Sequence, residues 1–165
     1  MIILGLDLGN TTGWSLYNEG VILSGTWDNA RSSQARFEGG GMRYVRFLDV
    51  LKKMPRPDRI AFEEVRSHKR AGQRSENVTA AHVYGGYLAT LAQWCDLEKI
   101  PYEGLAVSAI KTRATGKGNS NKEKVVEACK KLSPNEITDD NEADAFWLMV
   151  LACEGAAITI PTQKK

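Results

Sequence analysis

The sequence predicts an α/β domain with a mixed five-stranded sheet flanked by helices, in the order βββαβαβαα. Three observations predict it. Two short apolar runs, residues 2–7 and 59–65, end on carboxylates and read as buried strands. Two more, 14–17 and 21–27, are separated by Asn18-Glu19-Gly20, a hairpin turn, so the first three strands form an antiparallel meander. Beyond them, strand-like and helix-like segments alternate, the pattern of a layered α/β fold.

The elements follow in order. Residues 9–13, Gly-Asn-Thr-Thr-Gly, are turn chemistry. Residues 28–41 are polar and end in Gly39-Gly40-Gly41. Val45, Leu48 and Leu51 then recur at helical spacing until Pro55 stops them. The strand at 59–65 carries Glu63 and Glu64, and a basic loop covers 66–76. A long helix over 77–94 sets Val78, Ala81, Tyr84, Leu88 and Leu91 on one face. Its Gly85-Gly86 pair permits close packing, at a cost of about 1 kcal/mol per glycine relative to alanine. A strand at 100–107 precedes a glycine-containing basic stretch at 111–121. A helix at 122–132 turns Val125, Val126, Cys129 and Leu132 inward and ends before Pro134. The last helix, 140–153, carries Ala143, Phe146, Val150 and Cys153 on one stripe, and 158–165 is a short basic tail. No linker or repeat divides the 165 residues, which read as one domain.

Composition narrows the function. With 42% hydrophobic and 25% charged residues the chain is not disordered. No apolar run approaches the roughly 20 residues of a membrane span, and the opening Met1–Leu4 run meets Asp7 too soon for a signal peptide. Cys95, Cys129 and Cys153 are odd in number and far apart. They point to a reducing cytosol and to neither a disulfide framework nor a zinc ribbon. The net charge of +2 does not by itself announce a nucleic-acid partner.

The acids are more informative. Asp7 ends the first strand, Glu63 lies at the end of the fourth, and Asp144 sits in the first turns of the last helix. Carboxylates at buried strand ends are costly unless compensated. Three that converge raise one another's pKa. Hard divalent cations relieve that repulsion, and oxygen donors without nearby Cys or His suit magnesium or manganese. Two such ions about 3.5–4 Å apart activate water and stabilise the leaving oxygen in phosphodiester hydrolysis. By strand alternation, one of Glu63 and Glu64 points inward and the other to solvent. Asp139 and Asp140 are what a helix N-terminus attracts through capping and the macrodipole. Asp144 lies deeper and precedes the apolar run Ala145–Leu148.

Basic residues cluster twice, at Arg66, His68, Lys69, Arg70 and Arg74, and at Lys111, Arg113, Lys117, Lys122 and Lys124. Both groups follow strand ends on the edge that carries the acids. There, positive charge holds phosphates and stabilises developing negative charge. The candidate set for holding nucleic-acid phosphates is therefore Arg66, Lys69, Arg70, Arg74, Lys111, Arg113, Lys117 and Lys122. The histidines have no partner at metal-ligand spacing, and Trp14, Trp27, Trp94 and Trp147 read as core.

Taken together, these motifs resemble the RuvC family of Holliday-junction resolvases in the ribonuclease H-like superfamily, with a divergent, bacteriophage-type pattern. Ile3-Leu4-Gly5-Leu6-Asp7-Leu8-Gly9 with Thr12-Gly13 is similar to the family's first-strand motif, and residues 57–65 to its second acidic motif, whose acid falls on Glu63. Residues 109–118 with Lys122 and Val125 resemble its basic region, whose two functional lysines match Lys111 and Lys122. Glu142-Ala143-Asp144-Ala145 resembles the C-terminal acidic motif, which ends on Asp144. Leu8 stands where the family usually has Pro. Asn141 stands where it has Asp or His, with Asp140 one step earlier, and Arg66 where some members carry an aromatic residue.

The resemblance implies a homodimer that nicks a four-way junction or other branched DNA symmetrically and leaves 5′-phosphate ends. It implies two Mg2+ per active site, with Mn2+ as a substitute, and no membrane or organic cofactor. Asp7, Glu63, Asp144 and Asp140 or Asn141 would hold the ions, Asp140 being slightly preferred. Lys111 and Lys122 would contact phosphates near the cut. The exposed face of the 77–94 helix would make the dimer contact. Two rivals remain. A non-catalytic or RNA-directed binding module is kept open by Asn141. An actin-like kinase fragment is suggested by the phosphate-loop character of Asp7–Thr12, but such folds need two domains to enclose ATP.

Overall fold

The computed structural model describes residues 1–30, 39–65 and 78–160. Strands β1 (Ile2–Asp7), β2 (Thr11–Asn18) and β3 (Val21–Asp28) form the expected meander, followed by helix α1 (Met42–Lys53) and strand β4 (Arg59–Glu64). Helix α2 (Val78–Glu98), strand β5 (Tyr102–Ala106) and helices α3 (Val107–Thr115), α4 (Lys122–Leu132) and α5 (Asp140–Gly155) complete the chain. The β2–β3 turn is closed by Glu19 and Gly20, both at positive φ (48° and 91°), the two-residue geometry that matches strand twist.

One helix more is present than the sequence pattern predicts. Residues 107–115 are α3, where a strand end and a basic loop were expected. This helix is nine residues long, rich in β-branched and small side chains, and buries only Ile110 among its residues. It therefore carries no apolar periodicity to read. It ends at Gly116, whose φ of 76° is a left-handed stop.

The sheet order is β3-β2-β1-β4-β5. The central strand β1 pairs antiparallel with β2 and parallel with β4, and β4 pairs parallel with β5. Strand alternation divides the core in two. Leu4, Leu6, Ile60 and Phe62 face α1 and α2, packing with Phe47, Tyr87 and Leu91. Ile3 and Ala61 face the other way, against α5 and its neighbours.

Helix α5 lies unusually close to the sheet. A Cβ at Gly5 would fall against the Ala145 carbonyl oxygen and the Met149 amide nitrogen. A Cβ at Gly13 would fall against the Asn141 carbonyl. Only glycine lets helix backbone rest on strand backbone at these two points. In α2 the expected close packing belongs to Gly86, which takes the Tyr44 ring, whereas Gly85 faces open space.

Gly5→Ala should therefore destabilise the fold by about 3 kcal/mol, because backbone and not a flexible side chain must yield. Thermal unfolding should show a fall of roughly 6–12 °C, whereas Gly85→Ala should leave the midpoint unchanged or raise it.

Candidate active site

Alternation and register put the acids together. Leu6 pairs with Phe62 as the last rung between β1 and β4, so Asp7 and Glu63 follow at the adjacent C-terminal ends of two parallel strands. Both share the parity of Ile3, Gly5 and Ala61, and thus the face that carries α5. Crevices at the C-terminal ends of parallel strands are the usual ligand sites of α/β sheets. Asp144 enters the same space from the second turn of α5. Asp7, Glu63, Asp144, Asn141, Lys111 and Lys122 line one cleft of about 610 Å³, floored by Ala80, Val107, Ile110 and Val125. Glu64 has the opposite parity, as alternation requires.

The electrostatics follow from this placement. Burial, then the charges of Glu63 and Asp144, hold Asp7 well above the ordinary aspartate range. Burial and Asp144 push Glu63 up to about 7, against the opposing pull of Lys122 and Lys111. Burial, with Asp140 adding to it, pushes Asp144 up to about 6, again opposed by the two lysines. Among the described residues, none lining the cleft is a cysteine or histidine.

The acids share the cleft without forming a ready-made ligand shell. Among the described residues, no three His, Cys, Asp or Glu side chains stand in metal-holding geometry. The donor chemistry nevertheless suits a hard divalent cation: three carboxylates strained by one another's charge, with the Asn141 amide oxygen in the same cleft.

The remaining expected residues divide. Asn141 lines the cleft, and its amide nitrogen donates to Asp139 Oδ1 at 2.9 Å. Asp140, slightly preferred over Asn141 on sequence grounds, is not among the cleft's lining residues and pairs with Lys122 at 2.6 Å. Asp139 is the cap of α5, accepting from the amides of Asn141 and Glu142. Arg113 departs from the expected phosphate-binding set. It forms an ion pair with Glu154 at 2.6 Å and lies 5.5 Å over the Trp147 ring, committed to the body of α5. Lys117 is exposed in the turn beyond α3. Arg66, Lys69, Arg70 and Arg74 lie outside the described residues.

Three supporting side chains escaped sequence reading. The Tyr84 hydroxyl donates to the Glu63 carbonyl at 2.8 Å and accepts from the Val65 amide at 3.2 Å, tying α2 to the strand end that carries the acid. Buried Glu142 accepts from Ser24 Oγ at 2.6 Å and from the Thr138 amide at 3.3 Å, anchoring the start of α5 to β3. None of the three, Tyr84, Ser24 or Glu142, stands at a spacing that distinguishes it from core or surface. Their signal is purely tertiary.

No family model matches the sequence, and no curated protein matches it. Solved structures do. Thermus thermophilus RuvC in complex with a Holliday junction substrate aligns over 94% of both chains, with a TM-score of 0.69 and 20% identity. The chain has the RuvC fold. A second T. thermophilus RuvC structure aligns over 94% of this chain and 95% of its own, at TM-score 0.66 and 19% identity. The yeast mitochondrial Holliday junction resolvase aligns over 89% of this chain and 75% of its own, at TM-score 0.57 and 12% identity. The mixed five-stranded sheet expected from the sequence is the one observed. Among the described residues, no helix is long and apolar enough to cross a membrane.

A raised carboxylate pKa penalises the folded state as pH rises. Glu63 holds its proton more tightly folded than unfolded, so the penalty is absent below about pH 4, grows towards pH 7 and is complete above it. Glu63→Gln should thus stabilise the cation-free protein by about 3 kcal/mol at about pH 8 and by almost nothing at about pH 4, in paired thermal melts.

Proposed function

We propose that this chain is a structure-specific DNA endonuclease that cuts four-way junctions by divalent-cation-dependent hydrolysis of phosphodiesters. The observation that carries the reading is the cleft itself. Three mutually repelling acids at the ends of β1, β4 and the start of α5 face two lysines, on the fold of proteins whose structure includes a complex with a Holliday junction.

Asp7, Glu63 and Asp144 would hold the cations, with the Asn141 side-chain oxygen as a neutral fourth donor. Mg2+ is the expected ion, two per site, with Mn2+ as a substitute. Bound divalent cations supply the charge that activates water and stabilises the leaving oxygen of the phosphodiester. The chain's own groups do the rest. Lys111 and Lys122, from α3 and the first residue of α4, approach the acids from the opposite wall and would bind the oxygens of the phosphate to be cut. The apolar floor of Val107, Ile110 and Val125 limits water around these charges and strengthens them. Arg66, Lys69, Arg70 and Arg74 follow directly on the strand that carries Glu63, and would extend the phosphate track.

A junction has two strands to cut symmetrically, which fits two copies of the chain acting as a homodimer. The exposed face of α2 over residues 78–94 would make the contact between the copies. The whole chain would act as one cytoplasmic nuclease domain.

End-labelled four-way junction and matched linear duplex, incubated with Mg2+, test the reading. Paired symmetric nicks in the junction alone are expected, and none with Asp7→Asn. Junction binding without cutting in either Mg2+ or Mn2+ would overturn the nuclease reading in favour of a binding module, the reading that the uncharged Asn141 favours. Cation affinity should also climb steeply between about pH 6 and pH 8, because the ions must displace the protons held by Glu63 and Asp144. Calorimetric titration of Mn2+ at the two pH values measures this.

A further inference from the structure

Asp140 and Lys122 open helices α5 and α4, and their side chains meet at 2.6 Å, Nζ to Oδ2. The aspartate suits its helix N-terminus, but the lysine is a departure that needs a cause. A lysine as the first residue of a helix faces the positive end of the helix dipole, which opposes it. The pair is exposed (67% for the lysine, 43% for the aspartate), and exposed pairs add little stability. Its consequence is therefore one of orientation. Lys122 stands on the wall between two hollows. One is the acidic cleft, shared with Asp7, Glu63 and Asp144. The other is an outer hollow of about 510 Å³ lined by Glu123, Val126, Glu127 and Lys130. A flexible four-carbon stem can carry the ammonium into either. Asp140 touches the outer hollow and is absent from the lining of the cleft. It holds the ammonium at 2.6 Å, while Glu127 of the outer hollow is taken by Lys131 at 2.7 Å.

We propose that Asp140 is a positioning residue, which holds the Lys122 ammonium at the cleft so that it meets a phosphate of the bound strand, and which gives no oxygen to a divalent cation. The phosphate half of this statement rests on the nuclease reading. The pairing and the exclusion from the cation shell do not.

The test has readouts independent of cutting. Lysine amines are dimethylated with 13C, and the Lys122 resonance is assigned by its loss in Lys122→Arg. Asp140→Asn should shift that resonance, and Asp140→Glu should keep it near its original place. Mn2+ titration followed by electron paramagnetic resonance should show Asp140→Asn within about threefold of the unaltered protein. Asp7→Asn should lose about tenfold or more. In single-turnover junction cutting, Asp140→Asn should slow the maximal rate by about tenfold. Adding it to Lys122→Ala should slow that variant no further, because both changes remove one device. A Lys122 resonance indifferent to Asp140→Asn, an Mn2+ affinity that falls as far as in Asp7→Asn, or additive rate losses would each overturn the proposal. If the unaltered protein cuts no junction, it is the nuclease reading that fails, and the resonance and manganese measurements still decide the role of Asp140.

Discussion

The contact on which the rest of the molecule depends is the one between α5 and the backbone of β1 and β2. Gly5 and Gly13 carry no Cβ, so helix backbone reaches strand backbone at Ala145, Met149 and Asn141. Every feature of the site inherits that proximity. Asp144 reaches the cleft only because its helix starts hard against the sheet, and Glu142 bonds to Ser24 of β3 only because the same approach brings it there. Helix α5 is buried on almost every side. The sheet covers one flank, and α3 and α4 cover the other.

That packing brings together groups whose charges repel. Three carboxylates in one cleft cost free energy, and the close packing of α5 on the sheet places them there. The two lysines reduce the strain without abolishing it, as the elevated Glu63 and Asp144 show. Stability given up at a polar cleft is a common mark of a functional site, because a structure optimised for stability alone would not gather like charges. Under the proposed function, a bound divalent cation would relieve that strain.

The basic residues show how charge on paper and charge in space differ. Lys111 and Lys122 stand in the cleft, whereas Arg113, two positions from Lys111, turns to Glu154 and the Trp147 ring on the far side of α3. Positions two apart on a helix do not share a face. Once 107–115 is a helix, this division is a matter of geometry. Read as a loop, the same residues form one undivided basic run.

The strands, the long helices and the three acids were legible in the sequence because each has a local signature. Buried strands are short apolar runs, hairpins need turn residues, and a carboxylate at a strand end stands out against its neighbours. Strand parity even predicts that Glu63 and Glu64 part company. What only the tertiary structure decided lacks such a signature. Helix α3 buries too little apolar surface to be periodic. Tyr84, Ser24 and Glu142 act through partners up to 118 positions away. The choice between Asp140 and Asn141 turns on the rotation of α5 about its axis, which sequence spacing alone leaves open. That rotation is set by two glycines on other elements, and it sends Asn141 to the cleft and Asp140 to Lys122.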